Sequence, residues 1–316
     1  MPTPAIQRTC PVCEEKSARE ILRKGELRLV QCAACAMVYA SPVEAGLVSG
    51  AFYDDLASGF YLSPDKLQSD YAPVRFAREL RLLRRFCPRG KILDVGCSSG
   101  AFLFHAQQKY PGDYETLGVD VAGAALDYAA EKGVPVRKGS FLDMDFANAT
   151  FSAVTFWATL EHLVEPARHI SKAASVLEMG GCCFVLVPNF ASLAVRFLGA
   201  KYRYILPQHV NYFTRATLQK LAARQPNLET VYLGSTHFNP LVLWQDWRHR
   251  VPATDADRVR LLLRTTGYKQ NPALAPFKFG LTLVERTLGA QFLADNLVLV
   301  LRRRDPHSNI ASPGQV

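Results

Sequence analysis

The chain has 316 residues, 49% of them apolar, and a net charge of +9 from 37 Lys and Arg against 28 Asp and Glu. This length is enough for a full α/β domain with an ample core and further elements. The composition argues against a membrane-spanning helix, because the most apolar segment, 277–301, is interrupted by Glu285, Arg286 and Asp295. The positive charge leaves nucleic acid, a membrane surface or an anionic small molecule open as partners.

Two Cys-x-x-Cys pairs stand near the N-terminus, with eighteen residues between them. Four thiolates at this spacing can surround one Zn²⁺ tetrahedrally, with short ribbon strands such as 27–31 between the pairs. Disulfides are the alternative, and zinc is favoured because residues 1–10 lack the apolar segment of a secretory signal. A four-cysteine site leaves no open coordination position, so the metal is expected to be structural. The predicted zinc ligands are Cys10, Cys13, Cys32 and Cys35.

An arginine-rich helix is predicted ahead of the first strand of the main domain. Spacings of three and four place Arg78, Arg81 and Arg85 on one face, while Leu80 and Leu83 face inward. Such a face is usually solvated, and this is the favoured interpretation. A surface that grips RNA phosphates stays open as the alternative.

The most informative segment is a glycine-bounded turn between a strand and a helix. Residues 91–95 are predicted to form the strand, and the helix is predicted to run to about Tyr110. Gly96 and Gly100 allow the backbone to bend tightly and to approach a ligand closely. The unpaired N–H groups at the helix N-terminus are then available to an anionic group.

A second strand, residues 115–119, ends in the acidic residue Asp120. A carboxylate at this distance from a glycine-rich turn suits hydrogen bonds to ribose hydroxyls across the crevice of a doubly wound sheet. The two signals together predict an adenosine-type cofactor.

The turn has the pattern Asp-x-Gly-x-x-x-Gly, with Ser98 where a dinucleotide motif would have a further glycine. It resembles the first motif of the class I S-adenosylmethionine (SAM)-dependent methyltransferases, LDVGCGSGxFL. The resemblance implies a doubly wound, mostly parallel seven-stranded sheet of Rossmann-like topology, here with a small N-terminal zinc ribbon. It also implies that SAM is held by Asp94, Gly96, Cys97, Gly100, Asp120, Ser140, Phe141 and Trp157.

The resemblance continues in the right order along nearly the whole chain, through segments 138–146, 151–166, 180–189, 207–222 and 295–304. It implies that connector aromatics such as Tyr53 help to cap the cofactor or the substrate. The predicted organisation is a zinc ribbon at 1–40, a connector at 41–69, a methyltransferase domain at 70–304 with a lid at 190–213 and a helical insertion at 236–290, and a disordered tail at 305–316.

Methyl transfer to a hydroxyl needs a group that takes the proton of the acceptor, and histidine suits this at neutral pH. Glu161 and His162 follow the fourth strand at the carboxyl edge of the sheet, and His209 lies between the lid and the next helix. In related enzymes both regions face the substrate. His209 is the preferred base. For Glu161 and His162, a structural role is the alternative to a catalytic one.

These observations predict a cytoplasmic SAM-dependent methyltransferase that acts on a small or carrier-linked molecule, most plausibly at oxygen. The resemblance implies a sugar, a glycan precursor or a secondary metabolite as the acceptor. An RNA methyltransferase is the first alternative, although the Asn/Asp-Pro-Pro-aromatic tetrapeptide of many base N-methylating enzymes is absent. A catalytically silent SAM-binding scaffold, whose ribbon recruits a partner, is the second.

Overall fold

The computed structural model describes residues 5–50, 52–53, 57–248, 255–271 and 275–305. A seven-stranded sheet forms its centre. In spatial order the strands are β12 (Leu228–Thr236), β13 (Asn296–Arg303), β10 (Leu177–Pro188), β9 (Phe151–Trp157), β6 (Gly90–Val95), β7 (Tyr114–Asp120) and β8 (Val136–Lys138).

Strand β6 lies at the point where the strand order of the sheet reverses. From β6 the chain adds β7 and β8 on one side, and β9 and β10 on the other. These five strands pair in parallel, whereas β13 is antiparallel to both of its neighbours. The predicted doubly wound, mostly parallel sheet is therefore confirmed. Ligands of such sheets bind beyond the carboxyl ends of the strands at the switch point, which here lies between β6 and β9.

Helices cover both faces of the sheet. The described helical segments are α1 (Ala45–Ser49), a π-helical turn (Ala57–Tyr61), α2 (Pro64–Asp70), α3 (Ala77–Phe86), α4 (Ala101–Lys109), α5 (Gly123–Glu131), α6 (Pro166–Val176), α7 (Leu193–Leu198), a 3-10 turn (Gly199–Lys201), α8 (Arg215–Ala223), α9 (Pro240–Arg248), α10 (Asp255–Gln270) and α11 (Ala275–Ala290).

Two apolar cores follow from the alternation of side chains along the strands. Ile92 of β6 packs with α3, α4 and α5 on one face, and its neighbour Leu93 packs with α6 and α8 on the other. The two adjacent cysteines of β10 divide in the same way, with Cys182 in the first core and Cys183 in the second. Both cysteines are small, fully buried residues of the sheet.

A second sheet lies at the N-terminal side. Its order is β11 (Asn211–Tyr212), β4 (Val38–Ala40), β3 (Leu27–Cys32) and β2 (Ala18–Lys24), with antiparallel pairing throughout. A separate pair joins β1 (Ala5–Ile6) to β5 (Val43–Glu44). The four-stranded sheet therefore takes its edge strand, β11, from the predicted lid of the methyltransferase domain.

The predicted strands at 91–95 and 115–119 and the predicted end of the helix at about Tyr110 agree with the structure to within one residue. The predicted helical insertion at 236–290 contains α9, α10 and α11 in its described parts. Its two tryptophans, Trp244 and Trp247, are exposed on α9. The predicted disordered tail, 305–316, lies outside the described residues except for Asp305.

Candidate functional site

The turn after β6 requires glycine at both of its ends. Gly96 and Gly100 each have φ +74°. A Cβ on Gly96 would lie 2.4 Å from Cγ2 of Thr159, and one on Gly100 would lie 2.8 Å from Cβ of Ala129. The helix α4 starts directly after Gly100, which makes no side-chain cap. The first N–H groups of α4 are thus available to an anionic group of a ligand.

Asp120 ties the end of β7 to this turn. One carboxylate oxygen accepts a hydrogen bond of 2.8 Å from the N–H of Ser98, and the other accepts one of 2.9 Å from the N–H of Ala122. Ser98 has φ +49°, so the middle of the turn also bends into the left-handed region. The carboxylate is half-buried and stands at the carboxyl end of β7, next to the turn after β6, where ribose hydroxyls are bound in this architecture.

Asp94 has a different environment from Asp120. It lies opposite Thr155 in the β6–β9 register, and its carboxylate accepts a hydrogen bond of 2.6 Å from the Thr155 hydroxyl. Burial raises the pKa of Asp94 to about 7. Its side chain is therefore held inside the sheet beneath the turn. Cys97 is likewise buried, with its sulfur packed against Gly118.

The remaining predicted cofactor residues follow β8 and end β9. The main chain of Ser140 accepts hydrogen bonds from the N–H groups of Asp143 and Met144. The ring of Phe141 is buried, with its centroid 6.1 Å from that of Phe156. Trp157 packs on Phe102, and its indole N–H is buried without a hydrogen-bond partner in the described part of the chain.

These features fit SAM. The uncapped start of α4 suits the carboxylate of the cofactor, and Asp120 suits its ribose. Trp157 is the last residue of β9. Its unpartnered indole N–H is therefore a buried donor at the same edge of the sheet.

Glu161, His162 and His209 come together beyond the end of β9. The imidazole rings of His162 and His209 lie edge to face, with 4.7 Å between their centroids. The N–H of Val210 donates a hydrogen bond of 2.9 Å to the carbonyl oxygen of Glu161, which holds the two segments together. The ligand atoms of all three side chains lie within 4.8 Å of one another. The structure thus brings together the residues that the sequence analysis named as catalytic candidates.

Burial sets the protonation of this cluster, which we call the Glu-His-His cluster. Glu161 is 1% exposed, and burial raises its pKa to about 8. Burial also lowers the pKa of His162 to about 4. The Nδ1 atom of His162 lies 2.9 Å from the carbonyl oxygen of Gln208. Because a carbonyl oxygen only accepts, Nδ1 carries the proton and Nε2 carries the lone pair.

Tyr53 of the connector lies between the cofactor side and the Glu-His-His cluster. Its ring packs edge to face on His162, with 5.7 Å between centroids. Burial raises the pKa of Tyr53 strongly. The ring also packs against Ala122, two residues after Asp120, so Tyr53 links the loop after β7 to the Glu-His-His cluster.

Two residues that the sequence analysis missed support the Glu-His-His cluster. The Arg8 guanidinium donates hydrogen bonds of 2.8 Å to the carbonyl oxygen of Val210 and 2.9 Å to that of Val164. It also donates one of 2.9 Å to Oδ1 of Asn211, whose amide donates to the carbonyl oxygens of Leu160 and Leu163. Only the position of Arg8, two residues before Cys10, could have drawn attention to it.

The four N-terminal cysteines form a compact cluster. The sulfurs of Cys10 and Cys35 are 3.4 Å apart, and those of Cys13 and Cys32 are 3.5 Å apart. A tetrahedral Zn²⁺ with Zn–S bonds of about 2.3 Å separates its sulfurs by about 3.8 Å. The donor set and its spacing fit a four-thiolate zinc site, and all four cysteines are free thiols rather than disulfides.

A narrow crevice opens beside the cluster under the predicted lid. Tyr204, which lines it, is parallel to the ring of His209 at 6.3 Å between centroids. The crevice is lined by Pro188, Asn189, Phe190, Val195, Tyr202, Tyr204, Ile205, Asn211 and Tyr212.

A family profile described as a methyltransferase domain matches residues 69–233, just over half of the chain. The chain belongs to this methyltransferase family. Together with the topology of the sheet, this makes the protein a class I SAM-dependent methyltransferase, and it confirms SAM as the predicted cofactor. None of the helices in the described part of this methyltransferase is long and apolar enough to span a bilayer.

Several relatives and solved structures are similar to this chain. The ubiquinone biosynthesis O-methyltransferase of Albidiferax ferrireducens is 25% identical to this methyltransferase over 209 residues, which cover 60% of this chain and 80% of the relative. The enzyme of the same name from Hahella chejuensis is 27% identical over 207 residues, with coverage of 60% and 84%. Among structures, a SAM-dependent methyltransferase of Thermotoga maritima has 14% identity and a TM-score of 0.48, covering 75% of this chain and 92% of its own. The plantazolicin methyltransferase BpumL, bound to S-adenosylhomocysteine, has 15% identity and a TM-score of 0.49, covering 79% and 94%.

Proposed function

We propose that this methyltransferase transfers the methyl group of SAM to a hydroxyl oxygen of a small or carrier-linked acceptor. The observation that carries the proposal is the Glu-His-His cluster, which contacts Tyr53, a residue that also packs against Ala122 in the loop after Asp120. A proton acceptor thus lies beside the place where the cofactor is expected. The names of the relatives, which are O-methyltransferases, support oxygen as the acceptor atom.

SAM supplies a methyl group on a sulfonium, which is already a strong electrophile. The protein therefore has to orient the acceptor oxygen in line with the methyl carbon and to remove its proton. A new O–C bond forms, the C–S bond breaks with its electron pair going to sulfur, and S-adenosylhomocysteine leaves. His209 is the proposed proton acceptor, with His162 and Glu161 placing it.

The cofactor roles follow the positions of the residues. Asp120 would hold the ribose hydroxyls, and the turn from Gly96 to Gly100, including Cys97, would approach the methionine part of SAM. Ser140 and Phe141 would border the adenine, and Trp157 would pack against the cofactor. Asp94 would act indirectly, because its carboxylate is engaged by Thr155 beneath the turn.

The acceptor is proposed to carry a ring, such as a sugar, a glycan precursor or a secondary metabolite. The exposed ring of Tyr204, which lies parallel to the ring of His209, supports this. Flat aromatic faces stack on rings and leave few polar groups to satisfy.

The cysteine cluster is proposed to bind one structural Zn²⁺ through Cys10, Cys13, Cys32 and Cys35. Four thiolates close the coordination sphere, so the metal would stabilise the ribbon and take no part in chemistry. A four-thiolate zinc site is typical of a reducing compartment, which supports the predicted cytoplasmic location.

RNA is the less favoured acceptor, because the first arginine of the predicted face is used within the protein. Arg78 forms an ion pair with Glu285 of α11. Arg81 and Arg85 are exposed, as in the solvated helix face that the sequence favours.

The test is an acceptor screen with radiolabelled SAM, in which sugars, nucleotide sugars, phenolic metabolites and RNA are offered to the purified protein. We expect label to enter a ring-bearing small molecule, and the position of the methyl group to be oxygen by NMR. His209→Ala should abolish this transfer while SAM affinity stays within about twofold. Label in RNA alone, or a methyl group on nitrogen or carbon, would contradict the proposal.

The control is His169→Ala. His169 is also buried, and it makes a similar bond from Nδ1 to a backbone carbonyl oxygen, that of Glu165, at 2.8 Å. It lies on α6 and is not part of the Glu-His-His cluster. This variant should retain methyl transfer, so that loss in His209→Ala reports the base and not the removal of a buried imidazole.

A further inference from the structure

The Glu-His-His cluster has the donor atoms of a metal site as well as those of a base. A carboxylate and two imidazoles are a common ligand set for Zn²⁺ and for divalent manganese, iron or cobalt. Within the described residues, the groups that could hold a metal ion are this cluster and the four cysteines. We propose that Glu161, His162 and His209 bind one divalent transition-metal cation, separate from the cysteine site.

The orientation of His162 is the first support. Its Nδ1–H is held by the carbonyl oxygen of Gln208 at 2.9 Å, which leaves Nε2 as the atom with a lone pair. Metal-binding histidines usually donate their second ring N–H to a carbonyl or a carboxylate in this way. Gln208 precedes His209 in the chain, so one short segment supplies both a ligand and the group that orients another.

The environment of Glu161 is the second support. The side chain is 1% exposed, and its Oε2 atom finds no hydrogen-bond partner among the described residues. A buried carboxylate oxygen is costly unless it is paired, hydrogen-bonded or bound to a metal. Glu161 also belongs to the cluster whose ligand atoms lie within 4.8 Å of one another. A cation at the centre would satisfy this oxygen.

The proposed cation would act on the acceptor, and this step rests on the proposed function. Three protein ligands leave coordination positions open, in contrast to the closed four-cysteine site. The cation would lower the pKa of an acceptor hydroxyl at an open position, so that water would take its proton. The acceptor oxygen would then bond to the methyl carbon as the electron pair of the C–S bond goes to sulfur. With the cation bound, His209 would serve as a ligand, and water would replace it as the proton acceptor of the proposed function.

Mn²⁺ is the probe that separates the two sites. Thiolates favour zinc, whereas carboxylate and imidazole ligands suit manganese. Protein carrying its own zinc is titrated with Mn²⁺ and followed by electron paramagnetic resonance and calorimetry. We expect one Mn²⁺ per chain with the zinc content unchanged. Glu161→Gln, which keeps the size of the side chain, and His209→Ala should each weaken Mn²⁺ binding at least tenfold, and His169→Ala should leave it unchanged.

SAM affinity, measured on the same samples, separates this inference from the proposed function. Wild-type protein that binds SAM but no Mn²⁺ overturns the metal site and leaves the methyltransferase proposal intact. Protein that binds neither overturns both. Wild-type Mn²⁺ affinity in folded Glu161→Gln also overturns the ligand set, whatever the folding of His209→Ala.

Discussion

Arg8 and Val210 are 202 positions apart along the chain, and the guanidinium of Arg8 donates a hydrogen bond of 2.8 Å to the carbonyl oxygen of Val210. The same carbonyl oxygen accepts the N–H of Ala40 at 3.0 Å, because β4 pairs with the segment that follows His209. The N–H of Val210 is meanwhile bonded to Glu161. The N-terminal module, residues 5–40, therefore supports the backbone that carries Glu161 and His209 of the Glu-His-His cluster.

Arg8→Ala should loosen this part of the site. The substitution removes bonds to the carbonyl oxygens of Val210 and Val164 and to Oδ1 of Asn211, so the free energy of unfolding should fall by roughly 1–3 kcal/mol. Amide hydrogen exchange should rise locally at residues 208–212, while SAM affinity should stay within about twofold. Arg19→Ala removes an exposed bond to Gln31 and is the matched control. Unchanged exchange at residues 208–212 would show that the module does not support the site.

Cys13→Ser should release the proposed zinc. A serine hydroxyl is a poor replacement for a thiolate, and the closed site needs all four ligands. We expect one zinc per chain in the wild type and none in the variant by elemental mass spectrometry, with a lower melting temperature. Cys87→Ser, at a buried cysteine outside the cluster, should keep the metal. Zinc retained in full by Cys13→Ser would mean that the ligand set is wrong.

Asp120→Ala should weaken SAM binding by about tenfold or more. The change removes a carboxylate for the ribose hydroxyls and releases the N–H groups of Ser98 and Ala122. Hydrogen bonds to a charged group are each worth about 1.5–3 kcal/mol. Calorimetry with SAM measures the effect, and Asp127→Ala, an exposed position on α5, is the control. Equal affinities in the two variants would remove Asp120 from the site.

Asp94 should make the stability of the protein depend on pH. Burial raises its folded pKa to about 7 from an ordinary value of 3.8, so the folded state holds the proton more tightly than the unfolded chain. The resulting stabilisation is complete below about pH 4 and is lost as the pH rises to about 7, with a slope of at most about 1.4 kcal/mol per pH unit. Denaturant unfolding across this range should show a flatter profile for Asp94→Asn than for the wild type. An unchanged profile would mean that Asp94 has its ordinary pKa in the folded protein.

Much of the architecture was predictable because its signals are local. The glycines at 96 and 100 can be recognised from the sequence, since the turn demands positive φ at both positions. The strands were predictable for a related reason, as apolar runs bounded by turns are typical of a buried parallel sheet. The assignment of Asp120 to the cofactor site used its distance along the chain from the glycine-rich turn. It stays a prediction to be tested.

Long-range contacts were not predictable in the same way. No pattern in the sequence indicates that β11 pairs with β4, because a two-residue strand has no periodicity. The orientation of His162 depends on a backbone carbonyl of Gln208, 46 residues away. The difference between Asp94 and Asp120, a buried side chain against a half-buried one, arises from the register of β6 with β9.

The sequence by itself determined the family and the doubly wound sheet, and it named the two sets of candidate site residues, because each depends on residue types at short, regular spacings. The tertiary structure decided that the cysteine module and the segment carrying His209 share one sheet, and that Glu161, His162 and His209 meet at one point. These relationships depend on how distant segments pack, and packing is decided by the burial of apolar surface over the whole chain rather than by any local pattern.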